Sequence, residues 1–140
     1  MLLPDVNVLI NAAFSAAAQH QAASDWLAAA IEGDEMLLVP DIVLSGYVRI
    51  STSTYFDPPL SVDAAFDVCK RIRASDAFIA LASTDMQWAI YRDLAVKHAR
   101  RGGDFTDAYL AALAMANNAT LVTFDRGFRR FEGLELFEPA

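Results

Sequence analysis

Cysteine is nearly absent from this chain. Its one cysteine, Cys69, allows neither an internal disulfide nor a structural zinc site, and the separated His20 and His98 form no zinc-ligand spacing. An oxidising compartment is therefore not implied. Long apolar runs are missing too: a stretch such as Ile10 to Ala18 contains Asn11 and Ser15 and falls short of the ~18 to 20 residues that a membrane span requires. The N-terminal Met-Leu-Leu-Pro-Asp-Val-Asn has no basic region before its apolar residues and brings in a carboxylate at Asp5. A secretory leader tolerates that poorly, so the expectation is a cytoplasmic protein without a membrane anchor. No repeat, low-complexity tract or linker divides the 140 residues, whose 55% hydrophobic and 21% charged composition suits one domain over 1–140.

Basic residues are absent from the first third. Residues 1–48 carry six acidic side chains (Asp5, Asp25, Glu32, Asp34, Glu35 and Asp41) and no Lys or Arg, whereas 49–140 hold all eleven basic residues against twelve acidic ones. A net charge of −7 argues against non-specific nucleic-acid binding, because affinity for phosphates comes mostly from Lys and Arg displacing counterions. Taken alone, the asymmetry describes a solvated acidic face.

What is present alternates short apolar runs with helical patterns. Leu2 to Val6 reads as a strand, and Val6, Leu9, Ile10, Ala13 and Phe14 return at helical spacing. A second helix is expected from about Ala18 to Ile31, then a strand at Met36–Val39. Asp41 can cap a helix ending near Ser51 to Thr54, and Ser61 opens another that carries Ala64 to Ile72. Phe78–Leu81 is a third strand, and Ser83-Thr84-Asp85 caps a long helix to about Ala99. Gly102-Gly103 breaks that helix, Asp104-Phe-Thr-Asp107 opens an alanine-rich helix over Ala108–Ala116, and Asn117-Asn118 closes it. Thr120–Phe124 is a fourth strand, with a fifth at Leu134–Phe137. The alternation predicts an α/β fold with a mostly parallel sheet of four to five strands, covered by helices on both faces.

Ligands of such sheets bind outside the carboxyl ends of the strands. Asp5 ends the first strand, Asp41 follows the second and Asp125 follows the fourth, so carboxylates distant in sequence can share one cleft. Asp107 joins them if its helix starts at the same rim, and Asp104, three residues earlier, can share its face. Converging carboxylates repel one another unless a cation binds, and a hard divalent ion such as Mg²⁺ or Mn²⁺ suits oxygen ligands. Simpler roles compete: Asp41 reads as a helix cap, Asp104 equally as cap or ligand, and Asp125 as the start of the turn Asp125-Arg126-Gly127. Asp5 has the fewest such alternatives, being a carboxylate in an otherwise apolar junction.

Four segments, in order and at these spacings, carry a family likeness: Asp5-Val-Asn-Val-Leu-Ile-Asn, Val43-Leu-Ser-Gly-Tyr-Val-Arg-Ile, Asp107-Ala-Tyr-Leu-Ala-Ala-Leu-Ala and Leu121-Val-Thr-Phe-Asp125-Arg-Gly-Phe. Over almost its full length the chain resembles the PIN-domain ribonucleases, and among them the VapC toxins of bacterial toxin-antitoxin pairs. The resemblance implies a PIN-like three-layer fold with Asp5, Asp107 and Asp125 in an acidic Mg²⁺ or Mn²⁺ site and Asn7 and Thr123 as its polar support. It also implies an RNA substrate, a cognate antitoxin covering the cleft, and a homodimer or toxin-antitoxin hetero-oligomer. One departure stands out: the family carries a Glu three residues before the position of Arg49, where this chain has Gly46. Either Asp104 or Asp41 replaces it, or the site works with fewer carboxylates or more weakly; spacing favours Asp104.

Basic clusters flank the expected site. Lys97, Arg100 and Arg101 precede Asp104, and Arg126, Arg129 and Arg130 follow Asp125, so an RNA backbone fits between them. Helix-end placement equally explains Arg100 and Arg101. The aromatics Phe14, Trp26, Phe78, Trp88, Phe105, Tyr109 and Phe128 sit mostly at core-facing spacing. The leading expectation is a metal-dependent endoribonuclease using Asp5, Asp107 and Asp125. The alternatives are a haloacid-dehalogenase-like phosphatase with Asp5 as nucleophile, or a degenerate PIN-fold binding module.

Overall fold

A computed structural model describes residues 1–140. The chain runs β1 (Leu2–Pro4), α1 (Val6–Ala13), α2 (His20–Glu32), β2 (Leu37–Leu38), α3 (Asp41–Ser51), α4 (Val62–Arg73), β3 (Phe78–Ile79), α5 (Asp85–His98), α6 (Gly102–Ala116), β4 (Thr120–Val122), a 3-10 helix (Arg126–Arg130) and β5 (Leu136–Phe137). The five strands form one sheet in the order β3-β2-β1-β4-β5, and every pairing is parallel. The expected architecture is therefore present, with five strands rather than four. No helix is long and apolar enough to cross a membrane.

Strand parity sorts the core. Leu3 and Leu121, in register across β1 and β4, are fully buried among Val43, Tyr47, Ile72, Ala111 and Phe128. Val122 points the other way and packs with Val8 of α1 and Ala23 of α2. Side chains alternate across a strand, so these two clusters are the two covered faces of the sheet. The chain moves outward from β1 to β2 and β3, then returns to lay β4 on the other side of β1. The strand order reverses between β1 and β4, which is where open parallel sheets leave a crevice at their carboxyl ends.

Side-chain caps start two of the six α-helices. Ser61 Oγ accepts the Ala64 amide at 3.1 Å and Thr84 Oγ1 accepts the Gln87 amide at 3.1 Å, both at expected starts. Two expectations change. Asp41 is the first residue of α3 rather than its cap and makes no capping bond; it lies exposed, 3.5 Å from Arg73. Gly102 and Gly103 do not separate two helices but form the first turn of α6, because the Asp104 carboxylate accepts the amides of Arg100 at 2.9 Å and Arg101 at 3.3 Å. That carboxylate satisfies free donors at the helix start, and the glycines follow in helical conformation. At the other end Asn118 adopts φ 52°, a left-handed conformation asparagine tolerates, which stops α6.

Two aromatics expected inside are outside. Trp88 is 58% exposed and Phe105 45% exposed, although Phe128 is buried as expected. Tyr91 and Tyr109 make the edge-to-face contact that joins α5 to α6, leaving Trp88 on the outer side of Tyr91.

Candidate active site at the switch point

Asp5 leaves β1 by donating its backbone amide to Val122 O at 2.9 Å, and its backbone carbonyl accepts the Val8 amide at the start of α1. It occupies the N-cap position, yet its side chain makes no capping bond. The carboxylate turns instead toward β4. Oδ2 accepts Asn7 Nδ2 at 2.7 Å and Thr123 Oγ1 at 2.9 Å. Thr123 is buried, and its oxygen also accepts Asn7 Nδ2 at 2.9 Å and the Asp125 amide at 3.0 Å. Asn7 Oδ1 accepts the Phe124 amide at 3.2 Å, so both polar residues expected beside the site hold it together.

The acidic residues converge electrostatically. Burial pushes the Asp5 carboxyl from 3.8 to about 6; the Thr123 hydroxyl and the Val6 amide oppose the rise, and the charges of Asp107 and Asp125 add to it. Burial also raises Asp107, against the lowering effect of Arg130 and with Asp125 and Asp104 adding repulsion. Asp104 lies below the usual range, chiefly because the Arg100 amide donates to it. Asp125 is exposed and spends Oδ1 on the Gly127 amide at 2.8 Å, so it starts the turn as well as facing the cluster. No three acidic side chains are gathered closely enough to ligate one ion as they stand.

The structure joins Asp5, Asn7, Thr123 and the Asp125 amide by hydrogen bonds, sets Asp107 and the Asp125 carboxylate within electrostatic reach of Asp5, puts Asp104 at the edge, and leaves Asp41 out. Asp41 lies on the rim of a separate open groove of about 970 Å³ between α3 and α4, beside Phe66, Lys70 and Arg73. Gly46 faces α1, where a Cβ would come within 3.1 Å of Val6 Cγ2. The position at which the family carries Glu therefore points to the residue next to Asp5, and Val6 fills that space.

The basic residues divide. Arg100 and Arg101 are exposed at the start of α6, and Arg126 is exposed with its Nε 3.4 Å from Glu138. Arg126 and Arg129 line a pocket of about 200 Å³ with Thr123, Asp125, Phe137 and Glu138. Arg130, expected on an outer RNA track, turns inward: Nη2 donates to Asp107 Oδ2 at 3.0 Å and lies 4.0 Å from Asp104 Oδ1. Sequence reasoning missed this contact. The available signal was Gly127 between Asp125 and Arg130, since a Cβ there would meet Asp125 Oδ1 at 2.9 Å and Arg130 Nη1 at 3.2 Å.

A family model described as PIN domain matches residues 2–134. The chain is also 36% identical over 140 residues to ribonuclease VapC43 of Mycobacterium tuberculosis, covering 99% of this chain and 95% of that one. It belongs to the PIN-domain family, in the VapC branch. Ribonuclease VapC48 of the same organism is 28% identical, with 96% and 94% of the two chains covered. Among solved structures, the Sarcin-Ricin loop cleaving toxin VapC20 of M. tuberculosis superposes with a TM-score of 0.70 at 17% identity, over 93% of this chain and 94% of that one. VapBC2 of Rickettsia felis, solved bound to a promoter DNA fragment, superposes at 0.69 and 19% identity, over 99% and 98%. These superpositions establish the shared PIN fold. The phosphatase alternative wants an acid two residues after Asp5; this PIN domain has Asn7 there, donating to Asp5.

Proposed function

We propose that this protein is the toxin of a toxin-antitoxin pair, an endoribonuclease that hydrolyses RNA phosphodiesters with Mg²⁺ or Mn²⁺ bound by Asp5, Asp107 and Asp125. One observation carries the reading: the half-buried Asp5 carboxylate, held by Asn7 and Thr123 at the switch point, stands within electrostatic reach of Asp107 and Asp125. Such a group is costly to ionise alone and favourable to ionise against a cation. The donor set is all oxygen, which fits a hard divalent ion and not zinc. Bound there, the ion would supply a water of lowered pKa and positive charge for the phosphoryl oxygens.

The chain's own residues do the rest. Asn7 and Thr123 fix Asp5 Oδ2 from two directions, so the carboxylate has one orientation in the cleft. The Gly127 amide holds Asp125 Oδ1 and leaves Oδ2 without a protein donor. Arg126 and Arg129 border Asp125 and offer positive charge to an RNA backbone. Asp104, occupied by the amides of Arg100 and Arg101, serves the start of α6 and supports the cluster from outside. An antitoxin that covers this cleft would meet its carboxylates with a basic side chain.

The test is incubation of the purified chain with total cellular RNA, with Mn²⁺ or with EDTA, alongside Asp5→Asn. The expected result is cleavage with Mn²⁺ only, reduced about a hundredfold or more in the variant. Metal-independent cleavage, or cleavage at the wild-type rate in Asp5→Asn, overturns the assignment. Folded protein that neither binds Mn²⁺ nor cleaves would instead be a PIN domain kept for binding.

A further inference from the structure

Arg130 is one of three basic residues in the 3-10 helix after Asp125, and its neighbours Arg126 and Arg129 stay at the surface. Its own guanidinium is held at three points. Nη1 donates to Gly127 O at 2.6 Å, Nη2 donates to Asp107 Oδ2 at 3.0 Å, and the guanidinium carbon lies 4.4 Å from the centre of the Phe131 ring. The Arg130 and Asp107 side chains are 30% and 31% exposed, so the pair is partly shielded from water. Gly127 leaves both side chains where they lie, because a Cβ there would stand 2.9 Å from Asp125 Oδ1 and 3.2 Å from Arg130 Nη1 and oblige them to shift.

Arg130 grips one of the two oxygens through which Asp107 could reach a metal ion. A divalent ion of this class takes a carboxylate oxygen at about 2.1 Å, and a guanidinium donor on the same oxygen would stand against it charge to charge. The two cations therefore compete for Asp107. We propose that Arg130 is a resident counter-ion of the carboxylate cluster, neutralising Asp107 and exchanging with the divalent ion as that ion binds. This rests on the metal-site reading above. It gives Arg130 a role different from that of Arg126 and Arg129: it acts on the cleft through Asp107 and is a positioning residue. Gly127 O and the Phe131 ring keep the released guanidinium at the cleft.

The test is Mn²⁺ titration by calorimetry on the full chain, free of antitoxin, for wild type, Arg130→Gln and Arg130→Lys. Removing a competing charge from a partly shielded pair should tighten Mn²⁺ binding about three- to tenfold in Arg130→Gln, with Arg130→Lys closer to wild type. A merely structural arginine would give the opposite, with affinity unchanged or weakened in folded Arg130→Gln, and that result overturns the proposal. Should Arg130→Gln not fold, wild-type protein answers through the Arg130 guanidinium ¹⁵N resonances. These should move on Mg²⁺ addition and saturate with metal binding; resonances that stay fixed while Mg²⁺ binds overturn the exchange. Absence of Mn²⁺ binding in wild type and variants alike is a separate outcome, which removes the metal-site reading and the exchange with it.

Discussion

Thr123 donates its hydroxyl proton to Asp5 Oδ2 at 2.9 Å, joining the ends of β4 and β1 across 118 positions of sequence. The same oxygen of Thr123 accepts Asn7 Nδ2 and the Asp125 amide, so one hydroxyl serves three of the residues in the cleft. Removing it leaves a half-buried carboxylate with one fewer donor and two donors with one fewer acceptor.

Thr123→Val keeps the shape and removes that hydroxyl. The expected cost is about 1 to 3 kcal/mol of folding stability, read by urea denaturation at neutral pH. The Asp5 carboxyl should also titrate higher than in wild type, because a hydrogen bond to the ionised form has been lost. Carboxyl ¹³C chemical shifts followed against pH check the second effect independently of the first.

Asp5 makes stability depend on pH in a direction opposite to that of a salt-bridged carboxylate. Its folded value of about 6 lies above the ordinary 3.8, so the folded chain holds this proton more tightly than the unfolded chain. The contribution is complete below the ordinary value and is lost as pH rises through the folded one. Metal-free Asp5→Asn should therefore be more stable than wild type by about 2 kcal/mol near pH 7.5 and no more stable near pH 4. Denaturation in EDTA at the two pH values measures the difference, and an advantage that grows toward low pH would contradict the raised carboxyl.

The order of strands and helices was legible because apolar runs alternate with capping residues, and Ser61 and Thr84 cap where expected. The strands proved shorter than the apolar runs: β4 ends at Val122, although the apolar pattern runs to Phe124. Thr123 and Phe124 are instead drawn into the cleft by Asp5 and Asn7, contacts from the other end of the chain. Gly102-Gly103 reads as a break because glycine propensity is local, while the helix start is set by the Asp104 carboxylate, which accepts the amides of Arg100 and Arg101 just before the glycines. Helical spacing placed Trp88 and Phe105 inside because it cannot tell which apolar side of a helix meets a partner. Arg130 was out of reach for a related reason: its inward turn depends on how a 3-10 helix lies against α6.

Arg126 and Arg129 should contribute to RNA binding without contributing to folding. Both are exposed, and Arg129 has no carboxylate within ion-pair distance. Replacing Arg129 with Ala in an Asp5→Asn background should weaken binding of a labelled RNA about equally across sequences and lower the salt dependence by about one phosphate contact. Fluorescence anisotropy over a salt series reads both. Arg126 should matter less, since Glu138 at 3.4 Å already offsets its charge.

Gly46 carries the sharpest departure from the family pattern, and its surroundings say what restoring the carboxylate would do. A Cβ at this position would lie 3.1 Å from Val6 Cγ2, tight enough that Val6 must shift. In Gly46→Ala that strain is set against a gain in helix propensity of about 1 kcal/mol, so the net change in stability should stay within about 1 kcal/mol of zero. Gly46→Glu pushes a longer, charged side chain into the same space beside Asp5. It should cost about 1 to 3 kcal/mol in EDTA, with Val6→Ala recovering part of the loss. The double-mutant cycle isolates that contact: coupling between positions 46 and 6 shows that Val6 fills the space of the missing carboxylate. Independent effects would mean the glutamate finds room elsewhere. In the coupled case Mn²⁺ should stabilise Gly46→Glu/Val6→Ala more than it stabilises wild type, because the added carboxylate then faces the cation with Asp5.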